Sequence, residues 1–242
     1  MRITLFYFSG TGNTKAACDL FKEKLEHRNA TIILINIEDI TDGGRIEDTN
    51  SDIIGFAYPV YGADLPRIFR DFLSNVNPRV FSKKEAFVIT TAGYINAYGP
   101  FLLKKELSKK GLVLKNHIVV KMPNSTKKSD NNEIRRYRSL AKQEKKIEKL
   151  AGSLLDGRGR FYGVGPWLLG GYIIRVALKK PMAEHYKKLQ VDDSVCTHCK
   201  TCINNCPTQA IRYVNGTFTF TAACTTCFRC VQSCPVHAIK NK

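Results

Sequence analysis

Hydrophobic residues form five short runs in the first half of the chain, and the stretches between them have apolar positions at helical spacing. The runs lie at residues 3–8, 31–37, 53–58, 86–91 and 115–121. A short, almost continuous apolar run is typical of a strand that is covered on both faces. Such strands, alternating with helices, predict a doubly wound α/β domain with a five-stranded parallel sheet. We place this domain at residues 1–155, with a closing helix between residues 131 and 155.

The first run ends in a loop that is rich in glycine and hydroxyl groups and precedes an amphipathic stretch. The loop consists of Ser9, Gly10, Thr11, Gly12, Asn13 and Thr14. Its glycines allow backbone N–H groups to turn inward, and its hydroxyls add donors at the positive end of a helix, so it suits a phosphate. It lacks the Gly-Lys-Ser/Thr of a Walker loop, and Lys15 stands where a dinucleotide loop has its third glycine.

Two further loops follow the third and fourth runs, at the sheet edge where α/β proteins bind ligands. Their candidate binding residues are Pro59, Val60, Tyr61 and Gly62 in the first loop, and Thr91, Ala92, Gly93, Tyr94, Asn96 and Tyr98 in the second. The tyrosines are candidates for stacking on an aromatic ligand. The alternative is that they are ordinary surface residues of a loop.

Residues 190–242 contain eight of the nine cysteines, in two copies of the pattern Cys-x2-Cys-x2-Cys-x3-Cys-Pro. This spacing is typical of proteins with two [4Fe–4S] clusters, in which the fourth cysteine of each run binds the other cluster. We therefore assign one cluster to Cys196, Cys199, Cys202 and Cys234, and the other to Cys224, Cys227, Cys230 and Cys206. Structural zinc usually takes two separated cysteine pairs, and disulfides need an oxidising compartment.

The formal charge of +17 is concentrated in the middle of the chain, where residues 121–190 contain 17 of the 38 basic residues and 6 of the 21 acidic ones. Two interpretations stay open: a solvated helix face, or a docking surface for an acidic redox protein. Nucleic acid binding is disfavoured because no recognition module is present. The apolar connector, residues 156–189, is interrupted by Arg175. We expect it to pack between domains, with contact to a membrane surface as the less favoured alternative.

The chain resembles the flavodoxin–ferredoxin fusion family, often labelled EFR-family ferredoxins. The resemblance rests on the Ser-Gly-Thr-Gly-Asn-Thr loop, on Met122-Pro123-Asn124 after the fifth run and on the doubled cysteine pattern. It implies a flavodoxin-like sheet in residues 1–155 that binds FMN, with the phosphate in the first loop and the flavin ring between the other two. It also implies a small α+β ferredoxin-like domain with two [4Fe–4S] clusters at residues 190–242.

The resemblance implies an electron-transfer protein typical of anaerobes, and we expect it to relay electrons between the clusters and FMN. Two alternatives stay open: an FMN-dependent reductase of a quinone or nitro compound, and a redox-sensing binding protein. We assign no catalytic residues, because no paired carboxylates and no Ser-His-Asp set stand near the flavin loops. Residues 1–25 lack an apolar signal segment after a charged start, so we expect a cytoplasmic protein.

Overall fold

The computed structural model describes residues 1–40, 50–76, 81, 84–93, 99–126, 132–159 and 167–241. Three of the candidate ring contacts, Tyr94, Asn96 and Tyr98, lie outside the described residues.

The five predicted strands form one parallel sheet. They are β1 (Arg2–Tyr7), β2 (Thr31–Asn36), β3 (Ile53–Pro59), β4 (Glu85–Ala92) and β5 (Val113–Lys121). The order across the sheet is β2-β1-β3-β4-β5, and every neighbouring pair is parallel. This is the order of the flavodoxin-like fold, so the predicted α/β class is confirmed.

Helices cover both faces of this sheet. They are α1 (Asn13–Glu26), α2 (Arg67–Asn75), α3 (Gly99–Lys109) and α4 (Asn132–Leu155). Successive strand residues point to opposite faces, so β1 contributes to two hydrophobic cores. Leu5 belongs to the core that contains Phe21 of α1 and Ile147 of α4, whereas Phe6 belongs to the core that contains Phe69 of α2. Because the strands are parallel, the loops that follow β1, β3 and β4 all lie at the carboxyl end of the sheet and meet there.

The connector contains a further helix, α5 (Trp167–Ala183), and a short 3-10 turn at His185–Lys188. Helix α5 has apolar residues on more than one side, and Leu169 and Ile173 are exposed to solvent. Within the described part of the chain, none of the helices has the length and apolar character needed to cross a bilayer.

The C-terminal residues form a small α+β unit. Strand β6 (Leu189–Val191) pairs with β9 (Ile239–Asn241), and β7 (Ile211–Val214) pairs with β8 (Thr217–Phe220), both antiparallel. Two short helices, α6 (Thr201–Asn204) and α7 (Arg229–Ser233), complete it. The buried core holds few apolar side chains, among them Leu189, Val231 and Ile239. A core of this size contributes little stability, so we expect bound clusters to hold the unit folded.

Candidate functional site

A cavity opens at the carboxyl edge of the sheet, where the loops after β1, β3 and β4 meet. We call it the loop cavity. Its volume is about 480 Å³, within the range of roughly 300–1,000 Å³ that is typical of small-molecule sites. The candidate residues that line it are Ser9, Gly10, Thr11, Asn13, Thr14, Pro59, Val60, Tyr61, Gly62, Thr91, Ala92 and Gly93. Gly12, the remaining described candidate, is the N-cap of α1.

The loop after β1 ends in a left-handed turn that starts α1. Gly12 adopts a φ of 90°, which side chains disfavour, and its carbonyl accepts a hydrogen bond from the Ala16 N–H (3.0 Å). The Ser9 hydroxyl accepts a hydrogen bond from the Lys15 N–H (3.1 Å). The Lys15 ammonium pairs with Asp19 (2.8 Å), so this lysine brings no positive charge into the loop.

The backbone N–H groups and the Ser9 O–H are the available donors of this loop, since the Ser9 hydroxyl accepts a hydrogen bond and keeps its own proton. The Thr14 hydroxyl is hydrogen-bonded to that of Thr91 (2.7 Å), and the Thr11 hydroxyl donates to Ser125 (2.8 Å). Among the described residues, none accepts a hydrogen bond from the backbone N–H groups of residues 10–13. Four such N–H groups at the start of a helix form a nest that fits a phosphate.

The eight cysteines of the doubled pattern surround two separate cavities. Cys206, Cys224, Cys227 and Cys230 line one cavity and form the inner quartet. Cys196, Cys199, Cys202 and Cys234 line the other and form the outer quartet. Each quartet takes its fourth cysteine from the other run. Among the described residues, no three His, Cys, Asp or Glu side chains converge as they would around a single metal ion. The quartets enclose a volume instead, which fits a cubane that binds four thiolates.

The two cysteine loops bend at equivalent positions. Non-glycine residues with positive φ lie two and four residues after the first cysteine of each run: His198 and Lys200, and Thr226 and Phe228. A left-handed conformation costs about 1–2 kcal/mol for such a residue. Strain of this kind persists where other interactions compensate for it, and cysteine–iron bonds would do so here.

Each quartet has one buried cysteine, Cys227 in the inner and Cys234 in the outer, but only the outer quartet has an exposed one. Burial raises the pKa of the Cys227 thiol, in the inner quartet, to about 12. Cys199 of the outer quartet is exposed, and the Thr201 hydroxyl 3.3 Å away lowers its pKa. A buried thiolate is costly unless a cation compensates for its charge, so the inner quartet is suited to iron and poorly suited to free thiolates. Within this quartet the Ala210 N–H also donates to Cys206 Sγ (3.2 Å).

The inner quartet borders the loop cavity directly. Cys227 and Phe228 line both the inner-quartet cavity and the loop cavity. A Cβ added at Gly10 would lie 2.7 Å from Cys227 Cβ and 2.9 Å from the Cys227 carbonyl oxygen. The same point lies 2.5 Å from Tyr61 Oη, so this tyrosine also reaches the contact. Only glycine permits such a close approach.

Arg229 joins the inner-quartet loop to the flavodoxin-like domain. Its Nε donates to the Gly10 carbonyl (2.8 Å) and its Nη2 to the Ser9 carbonyl (2.8 Å). Its two Nη atoms also bind the Glu38 carboxylate, each at 2.6 Å. Nothing in the sequence pointed to Arg229 and Glu38, because they lie 191 positions apart and neither has a local signature.

Helix α5 covers the loop cavity on the side of the β3 loop. Three apolar side chains four residues apart line the cavity: Ile174, Leu178 and Met182. Gly62 has a φ of 57°, and a Cβ added there would lie 2.4 Å from Met182 Cγ. Arg175 Nε binds the Asp64 carboxylate at 2.8 Å, and each of these side chains is 17% exposed. The packing of Ile174, Leu178 and Met182 on the loop cavity was not predicted from the sequence, although their four-residue spacing places them on one face of a helix.

Residues 188–235 match a family model described as a 4Fe-4S dicluster domain. The chain joins a flavodoxin-like domain to a dicluster domain. Both domains are of types that carry redox groups, so the chain is a redox protein of the electron-transfer type. No curated protein matches the chain significantly.

Several solved structures resemble the flavodoxin-like part. A short-chain flavodoxin associated with a non-canonical PDU bacterial microcompartment has 14% identity over 66% of this chain and 99% of its own, with a TM-score of 0.47. Flavodoxin 1 from Bacillus cereus has 17% identity over 64% of this chain and 98% of its own, with a TM-score of 0.46. Two-electron reduced Megasphaera elsdenii flavodoxin has 18% identity over 58% of this chain and 98% of its own, with a TM-score of 0.42. The fold assignment depends on the strand order described above and not on these low similarities.

Proposed function

We propose that the chain relays electrons between a one-electron redox partner and FMN. In this proposal each quartet binds one [4Fe–4S] cluster, and FMN occupies the loop cavity with its phosphate at residues 9–14. When bound, each cluster carries one electron and FMN carries one or two, which joins one-electron to two-electron chemistry. The observation that supports the relay is that Cys227 and Phe228 line both the inner-quartet cavity and the loop cavity.

Burial suggests the order of the relay. The outer quartet includes the exposed Cys199, whereas the inner quartet has no exposed cysteine and its Cys227 contacts the loop after β1. A partner protein therefore has direct access to the outer quartet, and the inner quartet lies between it and the loop cavity. The order we propose is partner, outer cluster, inner cluster and FMN.

The position of α5 favours a carrier over a reductase of small molecules. A reductase needs an open path to the flavin, and Ile174, Leu178 and Met182 occupy one side of the loop cavity. These side chains also exclude water from an apolar ring, which favours its binding.

We further propose that the redox partner is acidic. Five exposed cations follow one face of α4 at alternating intervals of three and four residues: Arg135, Arg138, Lys142, Lys145 and Lys149. At 1.5 Å per residue this stripe is about 21 Å long. Its first turn lies beside the loop after β1, since Arg136 donates to the Thr11 carbonyl (2.8 Å). Such a stripe attracts a negatively charged partner and raises the rate of encounter.

Anaerobic reduction of the purified chain tests the relay. We expect wild-type protein to contain FMN and about eight irons, from two clusters of four. On stopped-flow mixing with a reduced ferredoxin, the clusters should be reduced before the flavin. Cys206→Ser should disrupt the inner cluster, although Cys206 belongs to the first run, and should slow flavin reduction strongly. Cys18→Ala changes a buried cysteine outside both quartets and serves as the control. Unchanged flavin reduction in the Cys206 variant would refute the relay.

A further inference from the structure

Two arginines hold three consecutive carbonyls of the loop after β1. Arg229 donates to the Ser9 and Gly10 carbonyls, each at 2.8 Å. Arg136, on α4, donates to the Thr11 carbonyl at 2.8 Å and to Asn13 Oδ1 at 3.0 Å. One arginine therefore belongs to the dicluster domain and the other to the flavodoxin-like domain.

These hydrogen bonds fix the direction of the loop N–H groups. The described residues contain no cis peptide bond, and in a trans peptide the C=O and the following N–H point in opposite directions. Because the Ser9 and Gly10 carbonyls face Arg229, the N–H groups of Gly10 and Thr11 point away from it. By the same argument, the N–H group of Gly12 points away from Arg136. The arginines thus orient the donors of the phosphate nest from outside.

The conformation of Arg229 depends on contacts with both domains, because Glu38 belongs to the flavodoxin-like domain and Asn205 to the dicluster domain. Glu38 binds its guanidinium through two hydrogen bonds of 2.6 Å, and Arg229 also donates to the Asn205 carbonyl (3.3 Å). Its backbone lies between two cysteines of the inner quartet, so the loop that binds the inner cluster sets its position. The phosphate nest and the inner quartet are therefore linked through one side chain.

We propose that Arg229 is a positioning residue that couples binding of the FMN phosphate to docking of the dicluster domain. This inference rests on the proposed function. Arg229 is not expected to contact the phosphate, because its donors are occupied by carbonyls and a carboxylate. It keeps the nest in the shape that binds a phosphate. Coupling between two sites is reciprocal, so bound FMN also stabilises the docked dicluster domain.

Flavin titrations of the full, cluster-loaded chain test the coupling. We would measure the dissociation constants of FMN and of riboflavin, which has the same ring but no phosphate, under anaerobic conditions. Arg229→Gln should weaken FMN binding by roughly tenfold, within the 5–150-fold range that is typical of coupled sites, and should leave riboflavin binding unchanged. Arg136→Gln should have the same selective effect from the other side of the loop. Arg212→Gln is the control, because Arg212 is an exposed arginine of the same small domain.

The outcomes separate this inference from the proposed function. If wild-type chain binds FMN and Arg229→Gln either leaves FMN binding intact or weakens both flavins equally, the coupling is wrong and the relay survives. If wild-type chain binds no FMN, both are wrong. Iron content reports whether Arg229→Gln still assembles its clusters. Should that variant fail to fold, the FMN-to-riboflavin ratio of Arg136→Gln decides whether the loop carbonyls set phosphate affinity.

Discussion

Arg175→Gln should open the loop cavity to small oxidants. An exposed ion pair contributes under about 1 kcal/mol, and breaking a fully buried one costs about 3–5 kcal/mol. The Arg175–Asp64 pair lies between these limits, since each side chain is 17% exposed. Asp64 keeps a second partner in Arg70, at 3.2 Å, so its charge stays compensated. We therefore expect the free energy that holds α5 against the β3 loop to fall by about 1–2 kcal/mol. This raises the population with α5 displaced by roughly 5–30-fold.

The assay is anaerobic oxidation of the reduced chain by a small quinone, followed by flavin absorbance in a stopped-flow instrument. The rate with the quinone should rise by the same factor as the open population, because access limits the reaction. Arg70→Gln is the matched control, since it removes the other ion pair of Asp64 and leaves α5 fastened. If Arg175→Gln behaves like Arg70→Gln or like wild type, α5 does not restrict access and the reductase alternative gains.

Three further predictions test the partner surface, the core and a partly buried histidine. Lys142→Glu should lower the rate of reduction by an acidic ferredoxin several-fold at low salt and little at high salt, whereas Lys22→Glu on α1 should not. Gly55→Ala should destabilise the flavodoxin-like domain by about 1–3 kcal/mol in thermal unfolding, because the added Cβ would lie 2.3 Å from a ring carbon of Phe87. Burial lowers the pKa of His117 from 6.5 to about 4, so the unfolded state takes up the proton first. Stability in urea should therefore fall as the pH drops from 6.5 towards 4, and His117→Gln should remove that part of the dependence.

The sheet and its binding edge could be predicted because their causes are local. The apolar run at 3–8 differs from β1 by one residue at each end, since continuous apolar residues followed by glycines leave few alternatives to a buried strand and a tight turn. The pairing of Cys206 with the second run could be predicted for a different reason. In proteins with this doubled spacing the fourth cysteine of each run binds the other cluster, and the pairing followed from that pattern and not from local geometry.

The contacts between distant segments could not be predicted. Arg229 and Glu38 are unremarkable in sequence, and their ion pair exists only because the dicluster domain docks on the loop after β1. The apolar residues of α5 favoured packing over contact with a membrane surface, but their composition did not show which residues they pack against. That depends on tertiary structure, since Ile174 and Met182 face the loop cavity while Leu169 and Ile173 remain exposed.

An electron carrier and a reductase of small molecules would differ here by the docking of α5 and not by a set of catalytic residues. A partner protein needs only to reach the exposed outer quartet, because the inner quartet already contacts the loop after β1 at Gly10. A small acceptor has to reach the loop cavity itself, and on the side of the β3 loop it would have to displace Met182 and the Arg175–Asp64 pair. If the proposed relay operates, the free energy that holds α5 in place sets the ratio of the two reactions. A chain of this architecture would change from carrier to reductase as that free energy falls, without any change at the cysteines.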